Sequence, residues 1–161
     1  MFLRQAKLNF GSAEAQGFDT TVAYSFGISD YLVDLSLGVT KQNKLNFIEP
    51  SNAGEAAKVD VELGEMRRPE WAAQFNAGVS WGDFSLMLNS SFLSKQTLSY
   101  EDGVEIETVD QNYGPAGYTD AFWTHNLSAR YDYNQQLRIY GGINNLTDEY
   151  PFATERGYPV S

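Results

Sequence analysis

Few side chains in this sequence are suited to catalysis or metal binding, and the first of them is His125, the only histidine. Residues 121–133 alternate apolar and polar side chains, which places His125 on the apolar face beside Trp123. Cysteine is absent, so thiolate ligands and disulfides are excluded. The sequence has no nucleophile elbow, phosphate-binding loop or zinc motif. We therefore predict no catalytic residue, no cofactor, no metal site and no enzyme activity.

An acidic segment at residues 101–110 is a candidate for cation binding. A calcium-binding loop needs oxygen ligands at the spacing D-x-[DN]-x-[DN]-G, which this segment lacks. We interpret it as a solvated loop. Its acids are Glu101, Asp102, Glu105, Glu107 and Asp110.

Three aromatic residues, Tyr113, Tyr118 and Phe122, lie on either side of the glycine-containing residues 114–117. Loops carried by a rigid scaffold often hold the residues that bind ligands. These three residues are our candidates for ligand contacts in an external loop.

Alternation with a period of two is the dominant pattern of the chain, and it predicts β-strands. The clearest example, residues 33–47, carries apolar residues on one face and polar residues on the other. The apolar face holds Val33, Leu35, Leu37, Val39, Leu45 and Phe47. The polar face holds Asp34, Ser36, Thr40, Gln42, Lys44 and Asn46. We predict strands at residues 2–9, 16–26, 31–47, 71–81, 84–100, 121–133 and 137–144.

The connections between these strands alternate between short turns and long polar loops. Aromatic residues flank the short turns: Tyr24, Phe26, Tyr31, Trp81, Phe84, Tyr131 and Tyr133. Others flank the long loops: Trp71, Tyr100 and Trp123. Two aromatic girdles, with short turns on one rim and long loops on the other, are typical of outer-membrane barrels. We predict an all-β fold, an antiparallel meander of about six or seven long strands from a transmembrane β-barrel wall.

In such a wall the apolar face points outward to lipid and the polar face points inward to the lumen. We call the edge with short turns the inner rim and the edge with long loops the outer rim. Lys41 lies on the outward face above the apolar band, where we expect it to meet headgroup or lipopolysaccharide phosphates or simply to snorkel. Lys44, Arg130 and Arg138 are predicted to point inward.

The length and net charge of the chain exclude further classes of protein. The chain has 161 residues, enough for one domain, and a formal charge of −10, which excludes a basic nucleic-acid-binding surface. No stretch approaches the roughly 18 apolar residues of a membrane helix. Other architectures remain open: a soluble carbohydrate-binding β-sandwich, or a small complete outer-membrane barrel of other function, such as a membrane-embedded hydrolase.

The segment after the last predicted strand resembles the penultimate strand of TonB-dependent outer-membrane receptors. The matching residues are Asn145, Leu146, Thr147, Asp148 and Tyr150. Residues 9–19 are similar to a second motif of that family, at the entry to an earlier strand. The two motifs stand in the family's order, so together they are fairly specific.

The resemblance implies a bacterial outer-membrane transporter that closes about 22 strands around a plug. Residues 1–161 would then be a C-terminal portion of the barrel domain, with the plug domain and the final strand outside it. The implied partners are outer-membrane lipid and lipopolysaccharide, the plug domain of the same parent chain, and TonB. The implied function is import of a scarce solute: a ferric siderophore, a cobalamin-like compound or an oligosaccharide. The sequence does not say which solute.

Overall fold

The structure is a computed structural model that describes residues 11–49, 56–97 and 114–150. The predicted strand at residues 2–9 lies outside these ranges. A 3₁₀ turn occupies Gly114–Gly117. The strands are β1 (Ser12–Ile28), β2 (Tyr31–Glu49), β3 (Lys58–Val61), β4 (Trp71–Trp81), β5 (Phe84–Leu93), β6 (Phe122–Asp132) and β7 (Arg138–Ile143).

Alternating sequence becomes one antiparallel sheet, because each long strand pairs with the next one along the chain. The order is β1-β2-β4-β5-β6-β7, and β3 pairs with the outer end of β2. Two-residue turns at residues 29–30 and 82–83 join hairpins, and Ser29 and Gly82 have φ of 52° there, as tight hairpin turns require. The prediction of an all-β antiparallel meander is confirmed.

The aromatic girdle at the inner rim is confirmed by the register of the strands. Tyr31, Trp81, Phe84 and Tyr131 stand directly opposite one another across β2, β4, β5 and β6. The ring centroids of Tyr31 and Trp81 are 5.7 Å apart, and those of Trp81 and Phe84 are 4.4 Å apart. Residues opposite one another in an antiparallel pair share a face, so these rings form one outward row.

A second set of aromatic contacts lies at the outer end of the same face. The Phe92 and Trp123 rings are 4.7 Å apart, and the Phe18 and Trp71 rings meet edge to face at 6.4 Å. Tyr100, predicted for this girdle, lies outside the described ranges. The two girdles bound a band of aliphatic side chains that includes Leu35, Leu37, Leu88 and Leu127.

The outward face is not covered by any other part of the described chain. Val22 is 61% exposed and Ile139 is 55% exposed, although both lie within strands. The one apolar residue buried in the described ranges is Met66, which belongs to a loop. A β-sandwich needs a second sheet over this face, and the described residues form only one sheet. The outward face is therefore not the core of a sandwich formed by the described residues.

A β-bulge reverses the predicted facing of the outer end of β2. Gln16 pairs with Lys44 but Gly17 pairs with Gln42, so Asn43 is an extra residue in β2. Beyond Asn43 the alternation shifts by one residue. Leu45 and Phe47 therefore lie on the inward face, and the prediction that they share a face with Val33, Leu35, Leu37 and Val39 is wrong.

Two other predictions fail near the outer rim. The strand predicted at residues 84–100 ends at Leu93. The Ser94 N–H still donates to the Trp71 carbonyl, but Gln96 and Thr97 form their backbone hydrogen bonds with loop residues instead of β4. The polar segment predicted as a loop between β2 and β4 contains β3, whose Val59 and Val61 pair with Ile48 and Asn46. β3 extends the wall beyond the point at which β4 begins.

Candidate functional site

A row of amide side chains crosses the inward face at mid-height. Ser36, Asn76, Asn89 and Asn126 stand opposite one another in register on β2, β4, β5 and β6. Asn89 Nδ2 donates to Asn76 Oδ1 at 2.6 Å, and Asn76 Nδ2 donates to Ser36 Oγ at 3.0 Å. Uncharged amides both donate and accept hydrogen bonds, so this row suits a polar, neutral surface such as a polypeptide or a sugar.

Charged groups of the inward face concentrate near the inner rim. Arg130 and Arg138 both form ion pairs with Asp132, which neutralises one of the two positive charges. Both arginines point inward, as predicted, because Arg130 stands opposite Ser85 and Arg138 opposite Asp132. The inward prediction for Lys44 is wrong, because the bulge at Asn43 turns its side chain outward, where it pairs with Glu14.

Residues 64–67 of one long loop pack against residues 96–97 and 119 of the next at the outer rim, around buried polar side chains. We call these residues the loop cluster. Gln96, Thr97 and Thr119 are less than a tenth exposed. The Arg67 N–H donates to Gln96 Oε1 at 2.5 Å, and the Gln96 N–H donates to Thr119 Oγ1 at 3.0 Å. The Thr97 N–H donates to the Gly64 carbonyl at 2.7 Å. This loop cluster was not predicted, because its contacts join residues more than 20 positions apart that carry no local signal.

One acid in the loop cluster, Glu65, has a perturbed pKa. Burial, then the neighbouring charges of Glu62 and Asp60, raise the pKa of Glu65 above its ordinary value. Arg68 acts against this shift, because its guanidinium pairs with both Glu62 and Glu65. Protonation of Glu65 therefore removes its repulsion from Glu62 and Asp60, at the expense of its ion pair with Arg68.

The candidate ligand contacts separate onto two sides of the wall. Phe122 stands opposite Leu93 on the inward face at the outer end of β6. Tyr118 lines a cavity of about 530 Å³ together with Phe92 and Lys95. Phe92 belongs to the outward face, so the structure does not bring Tyr118 and Phe122 to one site. Tyr113 and the acidic segment at residues 101–110 lie outside the described ranges.

The residues of the family motif form a turn after β7 that Asn145 organises. Asn145 has φ of 52°, a conformation that asparagine tolerates better than most residues. Its Oδ1 accepts the Glu149 N–H at 3.1 Å, and its Nδ2 donates to the Glu149 carbonyl at 2.8 Å. Its own N–H donates to Asn126 Oδ1 at 2.9 Å, which ties the turn to the amide row. Leu146, Thr147, Asp148 and Tyr150 complete the motif in this segment.

His125 lies on the outward face, as predicted, and forms a pair with Ser90. The His125 Nδ1 and Ser90 Oγ atoms are 2.8 Å apart, within reach of a nucleophile and its base. Ser90, however, is only 5% exposed, so a substrate would have little access to its hydroxyl. The pair satisfies two polar groups beside the Trp123 ring, which stacks on the imidazole at 6.0 Å.

Lys41 has its own partners on the outward face. Its Nζ atom is 3.0 Å from Glu70 Oε2 and 4.7 Å from the centre of the Trp71 ring. An ammonium that already pairs with a carboxylate has less to gain from a lipid phosphate.

In the described ranges no helix is long and apolar enough to cross a membrane. The same residues hold no group of three or more His, Cys, Asp or Glu side chains arranged for a metal ion.

A single antiparallel sheet with an apolar, aromatic-bounded outward face and a polar inward face defines a class of protein: the wall of an outer-membrane β-barrel. A comparison with protein-family models agrees, because residues 4–146 match the model described as TonB dependent receptor-like, beta-barrel. The chain belongs to the TonB-dependent receptor family, whose members are transporters of the bacterial outer membrane. Searches of curated proteins and of solved structures gave no match.

Proposed function

We propose that this chain supplies part of the wall and outer loops of a receptor that imports a scarce, bulky solute. The classes we propose are a ferric siderophore, a cobalamin-like compound or an oligosaccharide. The observation that carries the proposal is the family match over residues 4–146, together with a sheet whose two faces suit lipid and lumen. Energy for transport would come through TonB acting on a plug domain of the parent chain.

The amide row supports a plug as the neighbour of the inward face. Asn76, Asn89 and Asn126 offer donors and acceptors without net charge, and the rigid strands hold them in register. A plug must be held and yet be able to move during transport. Neutral hydrogen bonds, each contributing about 1 kcal/mol, suit that purpose better than buried ion pairs, which are costly to separate.

The outward face supports lipid and lipopolysaccharide as the partners of the wall. Its girdles lie where amphipathic rings favour headgroups. The edge strands β1 and β7 each pair with one strand in the described part of the chain. Further strands of the parent barrel would complete that pairing, since lipid does not tolerate unpaired backbone groups. We propose on this basis that residues 1–161 are a portion of the barrel domain, and the resemblance of residues 145–150 to the penultimate-strand motif supports a C-terminal position.

Of the two aromatic candidates that the structure describes, Phe122 is better placed to contact a solute, because it lies on the inward face at the outer rim. A large ring there would meet a solute as it enters the lumen. The control is Tyr133, an exposed aromatic residue at the opposite rim.

Uptake measurements test the proposed function. Cells that lack the protein and cells that express it would be given labelled ferric siderophores, cobalamin and malto-oligosaccharides, with and without a functional TonB. We expect one class to accumulate only when both proteins are present. For that class, Phe122→Ala should raise the half-saturating concentration while Tyr133→Ala should not. Uptake that is independent of TonB for every class tested would overturn the proposal.

A further inference from the structure

The amide row contains one hydrogen-bond acceptor and one donor that the wall itself does not use. Asn89 Nδ2 donates to Asn76 Oδ1 at 2.6 Å, and the described residues offer no partner to Asn89 Oδ1. Asn126 Oδ1 accepts the Asn145 N–H at 2.9 Å, and Asn126 Nδ2 likewise has no partner in the described ranges. The two residues stand directly opposite each other on β5 and β6, where Cβ atoms are about 4.5–5.5 Å apart.

Hydrogen bonds within the wall determine which atom of each side chain is available. The Asn145 N–H can only donate, so the Asn126 atom that meets it is the oxygen, and the amide nitrogen points away from it. Asn145 is itself held by two hydrogen bonds with Glu149 in the turn after β7. The turn of the family motif therefore orients Asn126 as a donor, while Asn76 orients Asn89 as an acceptor.

A donor and an acceptor side by side match the N–H and C=O of one residue in an extended polypeptide. Both groups of such a residue point to the same side of its backbone, as they do in a hydrogen-bonded pair of a β-sheet. A primary carboxamide presents the same two groups together. An ion would satisfy only one member of the pair, because a cation needs acceptors and an anion needs donors.

The surroundings of the pair leave room for a main chain and offer little to other ligands. Asn89 and Asn126 are half-buried, so a neighbour on the inward face can reach their free atoms. The inward positions that flank them on the two strands are Met87, Ser91, Thr124 and Ser128. None of these four residues is charged or aromatic, so neither an ion nor the flat face of a sugar finds a second contact among them.

We propose that Asn89 and Asn126 bind the N–H and C=O of a single residue in an extended segment of the plug domain. Asn89 Oδ1 accepts the N–H, and Asn126 Nδ2 donates to the C=O. The segment runs across β5 and β6, because the N–H and C=O of a residue are displaced along its own chain direction. Asn145 is a positioning residue that acts through Asn126. This inference rests on the proposed function for the presence of a plug inside the barrel.

Hydrogen exchange of the full-length receptor in nanodiscs, measured by mass spectrometry, tests the site without any transport. Asn126→Asp keeps an oxygen for the Asn145 N–H but replaces the free donor with an acceptor. Asn76→Asp is the matched control, because it places the same charge in the same row, where the Ser36 hydroxyl and Asn89 Nδ2 can both donate to it. Heat-modifiable migration in gels shows that each variant has folded.

We expect Asn126→Asp to speed exchange in one plug segment about fivefold or more, because a hydrogen bond is lost and two acceptors then face each other. Residues 145–149 should exchange as in wild type, and Asn76→Asp should change neither region. Asn126→Leu should speed exchange in both the plug segment and the turn, because it removes both groups of the amide. Unchanged plug exchange in Asn126→Asp, or an equal effect of Asn76→Asp, would overturn the proposal.

The same variants separate the plug from a solute as the bound partner. Cyanocobalamin carries primary carboxamides and serves as the solute probe. Weaker cyanocobalamin binding to Asn126→Asp with unchanged plug exchange would assign the pair to a solute and overturn the plug assignment. Uptake is measured in cells and exchange in the isolated receptor, so a receptor that fails the TonB test can still show the plug contact, and the reverse also holds.

Discussion

The approach of β7 to β6 depends on Gly142, and replacing it with alanine is a direct test of the packing. A Cβ atom at Gly142 would lie 2.8 Å from the Leu127 carbonyl oxygen and 3.3 Å from the Ser128 Cβ atom. Ordinary van der Waals contacts of a Cβ atom begin at 3.4 Å. The strands would have to separate by roughly 0.6 Å, the difference between 2.8 Å and that distance.

Separation of this size has a predictable cost. Overpacking of a rigid interface typically costs about 1–3 kcal/mol, and here the opposing atom is backbone, which cannot rotate away. The adjacent Gly141 is a matched control, because a Cβ atom there meets nothing within 4 Å among the described residues. Gly141→Ala should be neutral or stabilising by up to about 1 kcal/mol, since glycine is unfavourable within a strand.

Urea unfolding from phospholipid vesicles, followed by tryptophan fluorescence, measures both variants. We expect Gly142→Ala to lower the midpoint without changing the slope, and Gly141→Ala to leave the midpoint equal or higher. The turn at Asn145 should also lose protection from hydrogen exchange in Gly142→Ala, because it follows β7 directly. Equal midpoints for the two variants, or a lower one for Gly141→Ala, would refute this account of the strand pair.

Three further predictions concern the two faces and the outer loops. Leu37→Arg on the outward face should cost about 2–4 kcal/mol and impair membrane assembly, whereas Gln74→Arg on the inward face should assemble normally; equal yields of heat-modifiable barrel would contradict the assigned faces. His125→Phe should lower the free energy of unfolding by about 1–3 kcal/mol, because it leaves the Ser90 hydroxyl without its partner. Adding Ser90→Ala should recover much of this loss. Additive losses of the two variants in vesicle unfolding would exclude the coupling. The raised pKa of Glu65 means that the folded state binds its proton more tightly than the unfolded chain does, so the stability from protonation is present below its ordinary value of 4.5 and is lost as pH rises through the raised pKa. Glu65→Gln should therefore slow exchange of the Thr97 amide relative to wild type at neutral pH and not below pH 4.5, and a difference that is independent of pH would contradict this reasoning.

The sheet was predictable because alternation is a property of neighbouring residues. The strand at Trp71–Trp81 was predicted with its observed bounds, and the turn at residues 82–83 with its position. The facing of His125 also follows from parity within its own strand. Where the pattern is local and uninterrupted, a membrane wall is specified by the order of apolar and polar side chains alone.

The features that escaped prediction depend on how strands align with one another. Leu45 and Phe47 continue the apolar parity of Val39, so nothing in β2 reveals that Asn43 is an extra residue. The pair of Ser90 with His125 requires the register of β5 on β6, which fixes residues 35 positions apart. Such contacts are set by the whole sheet and leave no periodic trace in the sequence.

The length of a strand and the facing of its side chains are usually linked, because the side chains alternate from one end to the other. In β2 the bulge at Asn43 makes the two independent. On the outer-rim side of Asn43, the Arg68 guanidinium lies 5.8 Å from the centre of the Phe47 ring, so β2 contacts a loop residue there. Gly17 permits the bulge, since a Cβ atom there would lie 2.5 Å from the Lys41 carbonyl oxygen. Moving the extra residue two positions along β2 would shift the boundary between membrane and exterior by roughly 6–7 Å along the strand, with no change in strand length. The position of one inserted residue thus sets where along β2 the outward face changes from apolar to polar side chains.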